Sequence, residues 1–127
     1  MTRRKTGRRR RDILIKAGQA IRERQGEFDL NLTDIAEEVG CSTRQLQRVL
    51  TELEGEGFRS YLLRVRMETA HRLLSRRKQP STVRKAARAV GYREASGLRQ
   101  AFKRFYGYNP SDVQPAPPRY LGDVTEP

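Results

Sequence analysis

Three polar side chains stand at helical spacing early in the chain: Arg44, Gln47 and Arg48. On an α-helix, residues three and four apart share a face, so all three project from one side. An arginine fork matches guanine O6/N7 and a glutamine amide matches adenine N6/N7, each through two hydrogen bonds. A second set, Ser96, Arg99 and Gln100, has the same spacing, with Lys103 placed one turn on for a phosphate. An ordinary solvated polar face is the plainer account of each set, and it carries more weight for the second. Other chemistry is poorly supplied. His71 is the only histidine and has no Cys or carboxylate partner at metal-ligand spacing, which argues against metal binding and general-base work. Cys41 is the only cysteine, so no internal disulfide can form, and a reducing compartment fits. There is no Gly-rich phosphate loop. Enzymatic activity has no support, and no cofactor is implied.

The elements that must hold these side chains are helices. Strand alternation is lacking, and runs of β-branched residues are too short for a sheet. A first helix is expected over 12–24, with Ile13, Leu14, Ala17 and Ile21 on one face. A second covers 33–39, with Thr33 as N-cap and Ile35, Ala36 and Val39 inward. Gly40 breaks it where the chain needs a positive φ. A third runs over 43–53 from Ser42 as cap, burying Leu46, Val49, Leu50 and Leu53. After Gly55 and Gly57 a fourth spans 58–75, ending before Pro80. A fifth covers 83–90, capped by Ser81 or Thr82. A sixth covers 95–106, with Leu98, Ala101, Phe102 and Phe105 inward. A short seventh starts at Pro110, capped by Asn109. The expected fold class is all-α: seven helices forming two helix-turn-helix subdomains joined by a long linker helix. The divisions are a basic disordered arm (1–11), a first helix-turn-helix subdomain (12–57), the linker helix (58–75), a second subdomain (76–113) and a Pro-rich tail (114–127).

An internal repeat supports the two subdomains. Leu32-Thr33-Asp34-Ile35-Ala36 pairs with Val83-Arg84-Lys85-Ala86-Ala87, and Val39-Gly40-Cys41 pairs with Val90-Gly91-Tyr92. Two short helices crossing steeply need a small residue at their closest approach, Ala36 or Ala87. They need a glycine in the turn, Gly40 or Gly91. They need apolar anchors on the second helix, Leu46 with Val49 and Leu98 with Phe102. The second turn is one residue longer. Gly97, inside the sixth helix, costs about 1 kcal/mol relative to Ala, which makes the second subdomain the weaker reader. Cys41 takes the apolar turn position that Tyr92 holds in the repeat. Arg66 is expected to be structural, with a packed stem and a paired guanidinium.

The formal net charge is +12, from 27 Lys and Arg against 15 Asp and Glu. Folding does not require that imbalance, so a polyanionic partner is expected, nucleic acid first and an anionic membrane surface second. The apolar stretches are too short to span a bilayer, and the N-terminus lacks the apolar segment of a secretory signal. A cytoplasmic, nucleoid-associated protein without membrane contact is therefore expected. Arg8, Arg9, Arg10 and Arg11 belong to the basic arm, which is either a solvated tail or a segment lying on phosphates or in a minor groove. Thr33, Ser42, Thr43, Ser81 and Thr82 sit at helix starts, where free N–H groups favour a phosphate and capping is compatible with it.

The segments LTDIAEEVGCSTRQLQRVL, YLLRVRMETAHRLL, VRKAARAVGY and AFKRFYGYNP together resemble the DNA-binding domain of the AraC/XylS family of bacterial transcription regulators. The resemblance covers Asp12 to Val113. Its most specific pieces are Ser42-x-x-x-Leu46-x-Arg48, Tyr61-Leu62-x-x-x-Arg66-Met67-x-x-Ala70-x-x-Leu73-Leu74 and Phe102-x-x-x-x-Gly107-x-x-Pro110. Departures are Gly57 where the family usually has Ser, Arg84 where it has Ser or Thr, and Val113-Gln114 where it has Tyr-Arg. The resemblance implies seven helices, reading helices at 43–53 and 95–106, and Arg44, Gln47 and Arg48 at positions that contact bases or flanking phosphate. It also implies a transcription role, more often activation, with recruitment of RNA polymerase. A ligand-sensing domain, usual in the family, has no room here, so control by protein abundance is expected. The fourth helix is about 26 Å long at 1.5 Å per residue. It can set two reading helices about 34 Å apart, one turn of B-DNA. A monomer would then read an asymmetric double-stranded promoter site of about 20 bp. The alternatives are a low-specificity architectural or mobile-element DNA binder, and a helical module for a membrane surface or a protein partner.

Overall fold

The computed structural model describes residues 2–114, with side chains from residue 9 onward. Among the described residues there are six α-helices and no strand: α1 (Thr2–Arg24), α2 (Leu32–Val39), α3 (Thr43–Val49), α4 (Phe58–Leu74), α5 (Val83–Ala89) and α6 (Ala95–Tyr106). The expected seventh helix is a single 3-10 turn, Pro110–Asp112, so seven is corrected to six. Three residues cannot close an α-helical i to i−4 hydrogen bond. The first helix starts at Thr2 rather than at Asp12. Lys and Arg are good helix formers, and extending an existing helix avoids the cost of nucleation. The Pro-rich tail lies, after Gln114, outside the described residues. No helix among the described residues is long and apolar enough to cross a membrane.

The chain divides into two compact units between Val65 and Arg66, inside α4. The core of the first unit takes Ile13, Ala17, Ala20 and Ile21 from α1, Ile35 and Ala36 from α2, and Leu46 and Val49 from α3. Phe58, Tyr61, Leu62 and Val65, from the first two turns of α4, complete it. In the second unit Met67, Ala70 and Leu74 of α4, Ala86 and Ala87 of α5, and Leu98 and Phe102 of α6 are buried. The linking helix thus gives one apolar stretch to each core.

Local chemistry sets the helix ends. The cap of α2 is Asn31, not Thr33: Asn31 Oδ1 accepts from the Asp34 N–H at 3.0 Å, and Asp34 Oδ2 accepts from the Asn31 N–H at 3.1 Å. That reciprocal box satisfies two free donors at once, which a threonine two residues later cannot match. Gly40 ends α2 at φ 84°, as its position requires. Ser42 caps α3, its Oγ accepting from the Gln45 N–H at 3.0 Å. The helix then widens into a π-wound turn, Leu50–Glu54, that closes on Gly55 at φ 71°. The wider i to i+5 winding carries Leu53 off the buried stripe, so it is 43% exposed instead of buried. Phe105 also departs from expectation, at 40% exposed. The neighbouring Tyr106 ring packs there instead, 4.6 Å from Phe102 and 5.2 Å from His71.

Candidate nucleic-acid interface

The repeated turn keeps the same backbone hydrogen bond in both units. The Cys41 N–H donates to the Ala36 carbonyl at 3.0 Å, and the Tyr92 N–H donates to the Ala87 carbonyl at 2.8 Å. Gly40 and Gly91 both hold positive φ, 84° and 93°. Each turn therefore reverses the chain over a buried alanine and launches a helix whose apolar anchors point inward. On α3 the anchors are Leu46 and Val49; on α6 they are Leu98 and Phe102, all at 1% exposure or less.

The opposite face of α3 presents Thr43, Arg44, Gln47 and Arg48 to solvent. Arg44, Gln47, Arg48, Thr51 and Glu52 line one shallow concavity of about 380 Å³, so the first reading set comes together as its spacing predicts. Gln45, also an outward position by spacing, is half-buried. Glu52 was not anticipated, although its i+4 relation to Arg48 was visible. The Thr51 hydroxyl donates to the Gln47 carbonyl at 2.9 Å and is thereby tied to its own helix. Thr33 is exposed but lies elsewhere, in a wider concavity of about 980 Å³ lined by Leu30, Asn31, Phe58 and Leu62 among others. Gln47 borders both.

On α6, Ser96, Arg99, Gln100 and Lys103 are exposed. Arg99, Gln100 and Lys103 line a concavity of about 490 Å³ with Arg104 and Asn109; Ser96 is not part of it. Arg104 was missed, though it stands one turn beyond Gln100. At the start of α5, Thr82 is the cap and Ser81 is not: the Thr82 Oγ1 accepts from the Lys85 N–H at 3.1 Å. Glu94, at the start of α6, makes no side-chain cap.

Of the basic arm, Arg9 and Arg11 are exposed, while Arg10 pairs with Glu52 in the π-wound turn that follows α3. The side chain of Arg8 lies outside those described. Two further ion-pair groups lie in the first unit. Arg24 bonds Glu27 at 2.7 Å and Glu38 at 2.8 Å. Those bonds push the Arg24 guanidinium up, and the bond from Arg24 holds the Glu27 carboxyl down. Arg64 bonds Glu56 at 2.7 Å. Partial burial raises Glu56, but hydrogen bonds from Arg64 and Ser60 outweigh it and leave the carboxyl below its ordinary value.

Arg66 is half-buried, whereas the expected partner of its guanidinium was a carboxylate or carbonyls. Its guanidinium lies 5.8 Å from the centroid of the Tyr92 ring, within cation–π range. Burial pushes Arg66 down and Tyr92 up, the response of two groups packed away from water. Cys41 is half-buried, and burial raises its thiol against the opposing pull of Arg9. A thiol kept protonated is a poor nucleophile. His71 joins an aromatic cluster that periodicity could not reveal. Its ring stacks on Phe102 at 6.2 Å and meets Tyr106 at a tilt, 5.2 Å away, and its Nε2 is 3.0 Å from the Tyr108 hydroxyl. Among the described residues no group of three or more His, Cys, Asp or Glu could hold a metal ion.

Known proteins share this arrangement. A family model described as "Helix-turn-helix domain" matches residues 35–115. An uncharacterised HTH-type transcriptional regulator of Mycobacterium tuberculosis is 38% identical over 104 residues, covering 82% of this chain and 29% of that protein. The chain spans about three-tenths of the length of the curated relatives it matches. The C-terminal domain of AraT, a response regulator from Geobacillus stearothermophilus, is similar at TM-score 0.72 and 30% identity, over 80% of this chain and 82% of that one. The DNA-binding domain of AdpA, solved in complex with a target DNA, is similar at TM-score 0.67 and 26% identity, over 77% and 86%. With the duplicated turn, the two inward anchor pairs and these matches together, the chain belongs to the AraC/XylS-type helix-turn-helix family of DNA-binding domains.

Proposed function

We propose that this protein is a sequence-specific reader of double-stranded DNA that regulates transcription, α3 and α6 entering two successive major-groove segments. The observation that carries the reading is the duplicated turn. Each copy buries one face of its second helix and leaves an Arg/Gln stripe free on the other. Arg44, Gln47 and Arg48 read base edges from α3; Ser96, Arg99 and Gln100 do so from α6. Ser42, Thr43, Thr82 and Lys103 meet flanking phosphates, as does Thr33 from the first turn of α2. Arg8, Arg9 and Arg11 of the basic arm add backbone contacts. The AdpA domain, similar in fold and solved with a target DNA, supports DNA as the ligand. One chain carries both reading helices, so a monomer suffices and its site is asymmetric, about two turns of duplex. Activation through contact with RNA polymerase on the bacterial nucleoid is the regulatory mode that the family favours.

Selection of bound sequences from a random duplex pool tests this, followed by footprinting. The expected result is one asymmetric motif of about 20 bp with two conserved blocks one helical turn apart. A pool that stays random after selection, with a smeared footprint, would instead make the protein a low-specificity architectural binder.

A further inference from the structure

The Arg10–Glu52 ion pair joins two elements that the sequence keeps apart. Arg10 sits in the N-terminal half of α1, within the arginine run, and Glu52 in the π-wound turn that ends the reading helix. Glu52 also lines the concavity that holds Arg44, Gln47 and Arg48. The arginine turn of α1 is thus tied to the turn that ends the α3 segment, while Arg9 and Arg11 stay exposed. A carboxylate beside a reading face repels phosphate unless it does something else. Here it engages a guanidinium.

We propose that Glu52 is a positioning residue for DNA binding: its ion pair with Arg10 clips the arginine turn beside α3, where Arg9 and Arg11 extend the first half-site along the phosphate backbone. This rests on reading the protein as a double-stranded DNA binder. The clip holds the pair of exposed arginines at a fixed offset from the groove. It gives a rigid helical extension to the footprint, where a free basic tail would give a diffuse one. Orienting Arg9 and Arg11 beforehand also lowers the ordering cost of binding.

The test compares Glu52→Gln with Glu54→Gln in the full chain, on the duplex selected above. Both substitutions are in the same exposed turn and raise the net charge equally, so simple repulsion predicts the same tightening for each. Positioning predicts a difference. In Glu52→Gln the hydroxyl-radical protection at the outer edge of the first half-site should fade while the two central blocks stay protected. The slope of log affinity against log salt should fall by about 1 to 2, as loss of one or two phosphate contacts requires. Glu54→Gln should keep the wild-type edge and slope. The charge-swapped pair Arg10→Glu with Glu52→Arg should restore the edge at unchanged net charge, and thermal unfolding should be alike in all variants. Equal tightening in Glu52→Gln and Glu54→Gln with unchanged footprints would overturn the proposal and leave the DNA reading intact. A wild-type chain that protects no duplex would overturn both.

Discussion

Gly97 sits inside the second reading helix, where glycine costs about 1 kcal/mol relative to alanine. The structure supplies its reason: a Cβ at Gly97 would meet Tyr92 Cδ1 at 3.1 Å and Tyr92 Cβ at 3.8 Å. The first contact is a few tenths of an ångström inside ordinary van der Waals range. Tyr92 cannot easily retreat, because its ring is half-buried beneath the Arg66 guanidinium. Such overpacking costs about 1 kcal/mol, the low end of the usual range. Gly97→Ala should therefore be nearly neutral, the gain in propensity cancelling the overlap. Tyr92→Ala alone should destabilise by about 2 kcal/mol, roughly half the range for a fully buried ring. In that background Gly97→Ala should stabilise by about 1 kcal/mol, since the overlap is gone and the propensity gain remains. Urea unfolding of the four proteins of this cycle, followed by far-UV circular dichroism, gives the coupling directly. A Gly97→Ala stabilisation of about 1 kcal/mol in both backgrounds would refute the packing argument.

Other expectations follow from single contacts. A Cβ at Gly18 would meet Tyr61 Oη at 2.9 Å and Arg22 Nη1 at 3.0 Å; Gly18→Ala should destabilise by about 1 kcal/mol, and Tyr61→Phe should relieve it, by melting of single and double variants. Glu56 has a depressed carboxyl in the fold, so its contribution is full above the ordinary value of 4.5 and is lost as pH falls through the lowered one. Stability of the wild type should thus drop more steeply below pH 4.5 than that of Glu56→Gln, in urea midpoints measured across the acid limb. Arg48→Ala should relax sequence preference by about 1 to 3 kcal/mol at one position. Gln100→Ala should relax it less; equal losses in competition binding would show that the two heads read alike.

Much of this was legible because it rests on local rules. Gly40 had to hold positive φ, Ser42 had to cap, and Leu46 and Leu98 had to anchor; each follows from sequence neighbours, whereas Ser81 and Thr82 were equal candidates for the cap of α5. What failed depended on partners distant in sequence or on a change of winding. Leu53 was assigned inward on a 3.6-residue period, which the π-wound turn abandons. Phe105 is exposed while Tyr106 packs on Phe102 and on His71, a partner far away in sequence. Thr33 lost the cap to Asn31 because capping rewards a reciprocal pair, and Asn31 with Asp34 is one. The arginine run looked like a tail because it buries nothing by itself. Its helical state depends on the helix that follows, and its attachment depends on Glu52, far along the chain.

The pairing of Tyr92 with Gly97 also changes how the two heads compare. At the corresponding places the first head carries Cys41 and Gln45, a small turn residue and a long side chain. The second carries a large turn residue and a glycine. Tyr92 occupies the space beside Gly97, so Gly97 is not a defect in the second head. The asymmetry lies in the outward charges. The α6 concavity gathers Arg99, Lys103 and Arg104 around a single glutamine, whereas the α3 concavity sets Gln47 between Arg44 and Arg48, with Glu52 beside them. Cations clustered toward the end of a helix suit phosphates; an alternation of forks and an amide suits base edges. The second head should then supply more of the affinity and the first more of the discrimination. Lys103→Ala should weaken binding to all duplexes alike and lower the salt slope by about 1. A loss of sequence preference in Lys103→Ala, with the slope unchanged, would make Lys103 a base reader and undo this division of labour.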